Sequence, residues 1–118
     1  MRVERELMRG AGPVAVLKLL ERRDMYGYEL VETLAQRSDG VLAMGQSTLY
    51  PLLYNLEAKG WIESYERTAP SGRQRRYYRL TRKGRTQLAQ QTESWQAVVQ
   101  AMQALGIVVN PSGRGVPA

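Results

Sequence analysis

The sequence predicts a mainly α chain with one small β-hairpin (α+β), ordered helix, helix, helix, hairpin, helix, and three observations carry that reading. Apolar residues recur at helical spacing in three segments before residue 60. Two runs of alternating character follow, separated by a turn containing Pro70 and Gly72. The last long segment repeats its apolar residues every seven positions.

The first helix is read from "PVAVLKLLERR" (13–23), with Pro13 at its first position and Val16, Leu17, Leu19 and Leu20 as its apolar stripe. Residues 3–9 form either a separate turn or a continuation, because Gly10 and Gly12 weaken the join. "GYELVETLAQR" (27–37) turns Leu30, Val31 and Leu34 inward, with Gly27 at the helix start and Tyr28 in packing. In "STLYPLLYNLEAKG" (47–60), Ser47 or Thr48 caps the start and Leu49, Leu52, Leu53 and Leu56 are buried. Gly60 ends this helix, and Pro51 lies in or just past its first turn, where a missing N–H costs little.

"WIESYERT" (61–68) and "QRRYYRLT" (74–81) pair across "APSGR" as a hairpin with a cationic tip. Alternation puts Arg76, Tyr78 and Leu80 on one face and Arg75, Tyr77 and Arg79 on the other, with one of the two tyrosines packing on the third helix. Thr81 then caps a final helix from about Arg82 to Leu105, stopped by Gly106. Leu88, Trp95 and Met102 are seven apart, as are Gln91, Val98 and Leu105, which is the pattern of helices pairing between two chains. A dimer interface is therefore expected from Leu88, Trp95, Val98, Met102 and Leu105. The element order is that of a winged helix-turn-helix, the hairpin being the wing. The chain divides into a winged-helix unit (1–81), a C-terminal dimerisation helix (82–106) and a Gly- and Pro-rich tail (107–118) expected to be disordered.

Composition narrows the function. The 118 residues include 17 Lys and Arg against 11 Asp and Glu, a net charge of +6 and a pI near 10.0, which favours nucleic acid or an anionic surface as partner. The excess is local: Arg67, Arg73, Arg75, Arg76, Arg79, Arg82, Lys83 and Arg85 fall in a stretch without a carboxylate. Cysteine and histidine are both absent, which removes most nucleophilic, acid/base and metal-binding chemistry. We therefore expect no enzyme, no metal and no cofactor. "GVLAMGQS" (40–47) has the glycine spacing of a phosphate-binding loop but carries Gln46 where the lysine must stand. No uncharged apolar run approaches the roughly 18 residues of a membrane span, and a cytoplasmic protein is expected.

If the leucines of the third helix face the core, Ser47, Thr48, Tyr50, Pro51 and Tyr54 are left outside, where a recognition helix presents side chains to bases and phosphates. Its first two turns hold no Arg or Lys, so discrimination would rest on hydroxyls, thymine methyls and DNA shape. Arg73, Arg75 and Arg76 of the wing, with Lys83 at the start of the last helix, are the candidate phosphate contacts.

Three blocks, "MYGYEL" (25–30), "STLYPLLYNLEAKGWI" (47–62) and "GRQRRYYRLTRKG" (72–84), together resemble the PadR family of bacterial transcriptional regulators. The resemblance implies a homodimer on a palindromic double-stranded operator, usually a repressor released by a small molecule. "ESWQAVVQAMQAL" (93–105) is similar to the C-terminal helix of the family's multidrug-sensing members, where tryptophans of two subunits face each other across a pore. That likeness implies an effector site at Trp95 and Val99, walled by Leu7, Ala11 and Val14 from a second copy, for a planar aromatic small molecule. The sequence departs from an acidic pocket, since Val98, Val99 and Ala101 are uncharged and Glu93 is the only carboxylate of the final helix, so a neutral compound is implied. A winged-helix protein-interaction module, or a non-specific nucleic-acid binder without an effector, is the alternative.

Overall fold

Every apolar stripe named above folds as a helix in the computed structural model of the chain, whose described residues are 1–109. The elements are α1 (Arg5–Arg22), β1 (Met25–Tyr26), α2 (Gly27–Arg37), α3 (Gln46–Ala58), β2 (Ile62–Thr68), β3 (Gln74–Leu80) and α4 (Arg82–Ala104). They form two compact units that meet in sequence at Leu88 and Ala89. The expectation of a disordered tail falls mostly on residues 110–118, outside the described residues.

Two expectations need correction. The first helix does not begin at Pro13: α1 is continuous from Arg5, with Pro13 inside it. Proline removes the bond to the Arg9 carbonyl, but packing outweighs local propensity here. Gly12 is buried beside Met44, Leu52 and Met8, where a Cβ in its place would make ordinary van der Waals contact. The sheet also has three strands rather than two, in the order β1-β3-β2, all antiparallel. Met25 and Tyr26 pair with Tyr78 and Tyr77. A two-residue strand is too short to show a period.

The first unit is closed by Val16, Leu17, Leu20, Leu30, Leu49, Leu53, Leu56 and Ile62, all nearly or fully buried. Each such side chain contributes about 1.5–3 kcal/mol on removal from water. Arg23 and Glu29 pair at 2.9 Å beside β1, and the Glu29 carboxylate accepts the Tyr26 N–H at 3.2 Å, fixing the entry to α2. Both predicted glycine stops hold. Gly60, at φ +75°, donates to the Glu57 carbonyl at 2.9 Å and Trp61 to the Leu56 carbonyl at 3.0 Å, the paired bonds of a Schellman motif. Gly106, at φ +82°, repeats this with Gln103, and Ile107 with Met102.

The elements converge on one junction. Thr81 Oγ1 accepts the Gly84 N–H at 3.0 Å, capping α4 as expected, and donates to the Gly60 carbonyl at 2.7 Å. The Thr81 N–H bonds the Trp61 carbonyl at 3.1 Å. Gly84 lies against that same carbonyl so closely that a Cβ would overlap the backbone of Trp61. Thr81, through its hydroxyl and its backbone N–H, thus ties the end of α3, the start of β2, the end of β3 and the start of α4.

This junction sets opposite outcomes for two glycines in helices. Gly10 has open space around it, and Gly10→Ala should stabilise by about 0.5–1 kcal/mol, through helix propensity. Gly84→Ala gains the same propensity but must displace bonded backbone, and should destabilise by about 1–2 kcal/mol net. Urea unfolding midpoints check both; a Gly84→Ala midpoint at or above that of the parent would contradict the junction's tightness.

Candidate nucleic-acid interface

The exposed face of α3 arises from the spacing of its leucines. Leu49, Leu53 and Leu56 are buried and Leu52 partly so, which turns Ser47, Thr48, Tyr50, Pro51 and Tyr54 outward. All five predicted positions are exposed, Tyr54 at 74%. The helix begins one residue earlier than predicted, at Gln46, with Gly45 as N-cap and no side-chain cap. Ser47 and Thr48 therefore sit inside the first turn with their hydroxyls unspent on capping. Pro51 falls in the second turn and leaves the Ser47 carbonyl without a helical donor, on the exposed side.

Tyr50 is held from behind. A Cβ on Gly27 would stand 2.5 Å from Tyr50 Oη and 2.8 Å from its ring carbon Cζ, so the phenol rests on the bare first turn of α2. Gly27 is thus more than a helix start: it makes room for the tyrosine and fixes where its exposed edge points. The Tyr78 hydroxyl is close enough to be influenced by Tyr50 and Glu57, and burial, the larger cause, raises its pKa above the ordinary phenol value. Tyr28, expected in packing, is half exposed at the same end of α2.

The wing divides its arginines between two faces. Tyr78 and Leu80 enter the core from one face of β3, and on that side Arg76 pairs with Glu57 of α3 at 3.7 Å. Tyr78 is thus the tyrosine that packs inward, yet on the other face Tyr77 is also only 2% exposed. A second aromatic layer covers it: Tyr26 meets it edge-on at 5.4 Å and Tyr65 stacks at 6.0 Å. The Arg67 guanidinium lies 4.6 Å over the Tyr77 ring, Arg75 lies 5.3 Å over Tyr26, and Arg79 lies 4.8 Å over Tyr65. Arg79 also binds Glu63 at 2.7 Å, an ion pair that raises its pKa further. The Tyr65 hydroxyl donates to Asp24, which holds the phenol neutral and raises its pKa. The predicted set Arg73, Arg75 and Arg76 is therefore not one cluster. Arg73 is exposed at the turn, where the Ala69 N–H bonds its carbonyl at 2.8 Å, while Arg75 and Arg76 lie on opposite faces. Lys83 is exposed at the start of α4.

The residues assigned to assembly and effector binding fare differently. Leu88 is 3% exposed and belongs to the chain's own core, so its side chain is already used and it leaves the interface list. Trp95, at 37%, and Val98, Val99 and Leu105 are exposed, and Met102 is partly so. On α1, Leu7 is exposed, Ala11 is half-buried and Val14 packs against the core. None of these three lines the cleft of about 620 Å³ between α1 and α3, which is walled by Met8, Gly12, Pro13 and Leu52 and rimmed by Arg5 and Lys59, among others. Among the described residues no helix is long and apolar enough to cross a membrane, and no cluster of acidic side chains could hold a metal ion.

Comparison with known proteins gives a consistent result. The transcriptional regulator PadR-like family matches residues 16–90. A curated Mycobacterium tuberculosis protein named transcriptional regulator Rv3488 is 32% identical over 111 residues, covering 94% of this chain and 98% of its own length. The solved PadR-like transcriptional regulator of Bacillus cereus superposes with a TM-score of 0.78 at 27% identity, over 86% of this chain and 96% of that one. A PadR family regulator from Eggerthella lenta gives 0.72 at 35% identity, over 85% of both. With a three-helix core, a cationic winged hairpin and a family match that spans both, the chain belongs to the PadR-like family of transcriptional regulators.

Proposed function

We propose that the protein is a cytoplasmic, homodimeric repressor that reads a palindromic operator with α3 and grips its phosphates with the wing. The observation that carries this is the division of labour on the first unit. Five exposed residues of α3 include no charge, while the hairpin that follows carries Arg67, Arg73 and Arg75 with no ion-pair partner among the described residues. Uncharged hydroxyls suit base edges, and free guanidiniums suit a polyanion. Arg73→Gln should therefore weaken operator and mixed-sequence DNA alike and flatten the log–log salt dependence by roughly one unit. Tyr50→Phe and Thr48→Ala should instead lower the preference for operator over mixed-sequence DNA. Equal losses on both DNAs for the α3 variants would assign that face to backbone contact.

Dimerisation is proposed for the second unit, because α4 beyond Leu88 exposes Trp95, Val98, Val99 and Leu105, and a lone helix of this length is marginal in water. Since Leu88 closes the first unit's core, truncation belongs after Leu88. The shortened chain should sediment as a folded monomer that no longer protects a palindrome; a dimer would move the interface to the first unit.

The effector reading rests on Trp95, the one large aromatic residue in that exposed stripe. A flat, neutral aromatic compound held between two such indoles would release DNA only by favouring one spacing of the two α3 helices. In a Trp61→Phe background, titration with planar dyes should quench Trp95 fluorescence and lower operator affinity together. Quenching with unchanged operator affinity would leave Trp95 as interface alone.

A further inference from the structure

Arg67 and Arg75 face each other directly across β2 and β3. Residues in such register share a face with their side chains roughly 4.5–5.5 Å apart at Cβ, and like charges placed so are destabilising. The same sheet shows the ordinary remedy twice, since Arg76 is given Glu57 and Arg79 is given Glu63. Arg67 and Arg75 take part in none of the ion pairs among the described residues. Arg75 adds a second cost, because its Nε is buried without a hydrogen-bond partner.

What the pair does have is a floor. Arg67 lies over Tyr77 and Arg75 over Tyr26, and those two rings touch edge-on. Stacking holds a guanidinium by its flat face and leaves the terminal N–H groups directed sideways, in the plane where a phosphate oxygen is bound. The two side chains share one face of the sheet next to the hairpin turn, and neither has a carboxylate within ion-pair distance, Asp24 acting on Arg67 only through its field. An anion between them would remove the repulsion and use the donors at once.

We propose that Arg67 and Arg75 form a paired seat for a single phosphodiester of double-stranded DNA. Arg67 belongs to the cationic stretch of the sequence but not to the phosphate contacts expected from it, Arg73, Arg75, Arg76 and Lys83. The proposal rests on the DNA-binding reading given above and adds to it which side of the hairpin meets the backbone and which strand supplies the second cation.

The test uses the full-length protein and a mixed-sequence duplex, with affinity measured across a salt series. Arg67→Gln and Arg75→Gln should each flatten the log–log slope by roughly one unit, and the double variant by little more, because one phosphate is shared. Arg67→Lys should keep the slope but bind more weakly, since it keeps the charge and loses the stacked plane. Arg79→Gln, whose charge is spent on Glu63, should leave the slope unchanged. Circular dichroism melts identify any variant that fails to fold, and the remaining Gln variant of the pair, which should still flatten the slope by roughly one unit, then carries the test. If Arg73→Gln flattens the slope and neither Arg67→Gln nor Arg75→Gln does, the seat is wrong and the wing reading stands. A double variant that loses twice the single effect would replace the shared seat by two separate contacts. If none of the three arginines affects the slope, the wing reading falls as well.

Discussion

The first unit depends on the space left by a missing side chain at Gly84. With no Cβ there, the start of α4 lies directly on the Trp61 carbonyl, and the Thr81 hydroxyl bridges Gly84 to the Gly60 carbonyl. Because Gly60 is also the left-handed stop of α3, the helix that presents Tyr50 and Tyr54 and the hairpin that presents Arg67, Arg73 and Arg75 leave one rigid corner. Two DNA-reading elements that had to find their relative placement on binding would spend affinity on ordering. Here the fold has fixed it beforehand, with three hydrogen bonds and a close backbone contact.

The same logic of a missing side chain recurs at Gly27, which seats the Tyr50 ring, and it shows how the interface is stiffened without buried charge. Among the described residues no charged side chain is buried. The outer face of the sheet is instead stabilised by stacked tyrosines that neutralise nothing, so the arginines above them keep their full charge. Where a cation is not needed outward, a carboxylate is supplied, as Glu57 is for Arg76 and Glu63 for Arg79. The proposed phosphate contacts therefore rest on the arginines of this sheet left without an ion pair rather than on total charge.

Much of this was legible in the sequence for identifiable reasons. The leucine spacing of α3 located all five of its exposed candidate residues, because burial of Leu49, Leu53 and Leu56 leaves only one rotation of the helix. Thr81, Gly60 and Gly106 marked their boundaries through capping chemistry that acts locally. What stayed hidden is tertiary. The two-residue strand at Met25 has no period, and the continuity of α1 through Pro13 runs against the local propensity of proline. Tyr77 alternates outward yet is buried, because Tyr26, far away in sequence, folds back to cover it. Leu88 fits the seven-residue repeat equally well as core or as interface, and only the structure shows it in the core. Arg67 carried no signal beyond its charge, and only the structure shows its register opposite Arg75, on which the proposed seat rests.

One face of α3 and one side of the wing are proposed to meet DNA together. Backbone amide chemical shifts of the full-length protein, followed while an operator duplex is added, test this most directly. Shifts should concentrate at Ser47, Thr48, Tyr50 and Tyr54 and across Arg67 to Arg75, saturating at the same DNA concentration. Shifts that left residues 47–54 untouched, or that saturated separately for the helix and the wing, would contradict it.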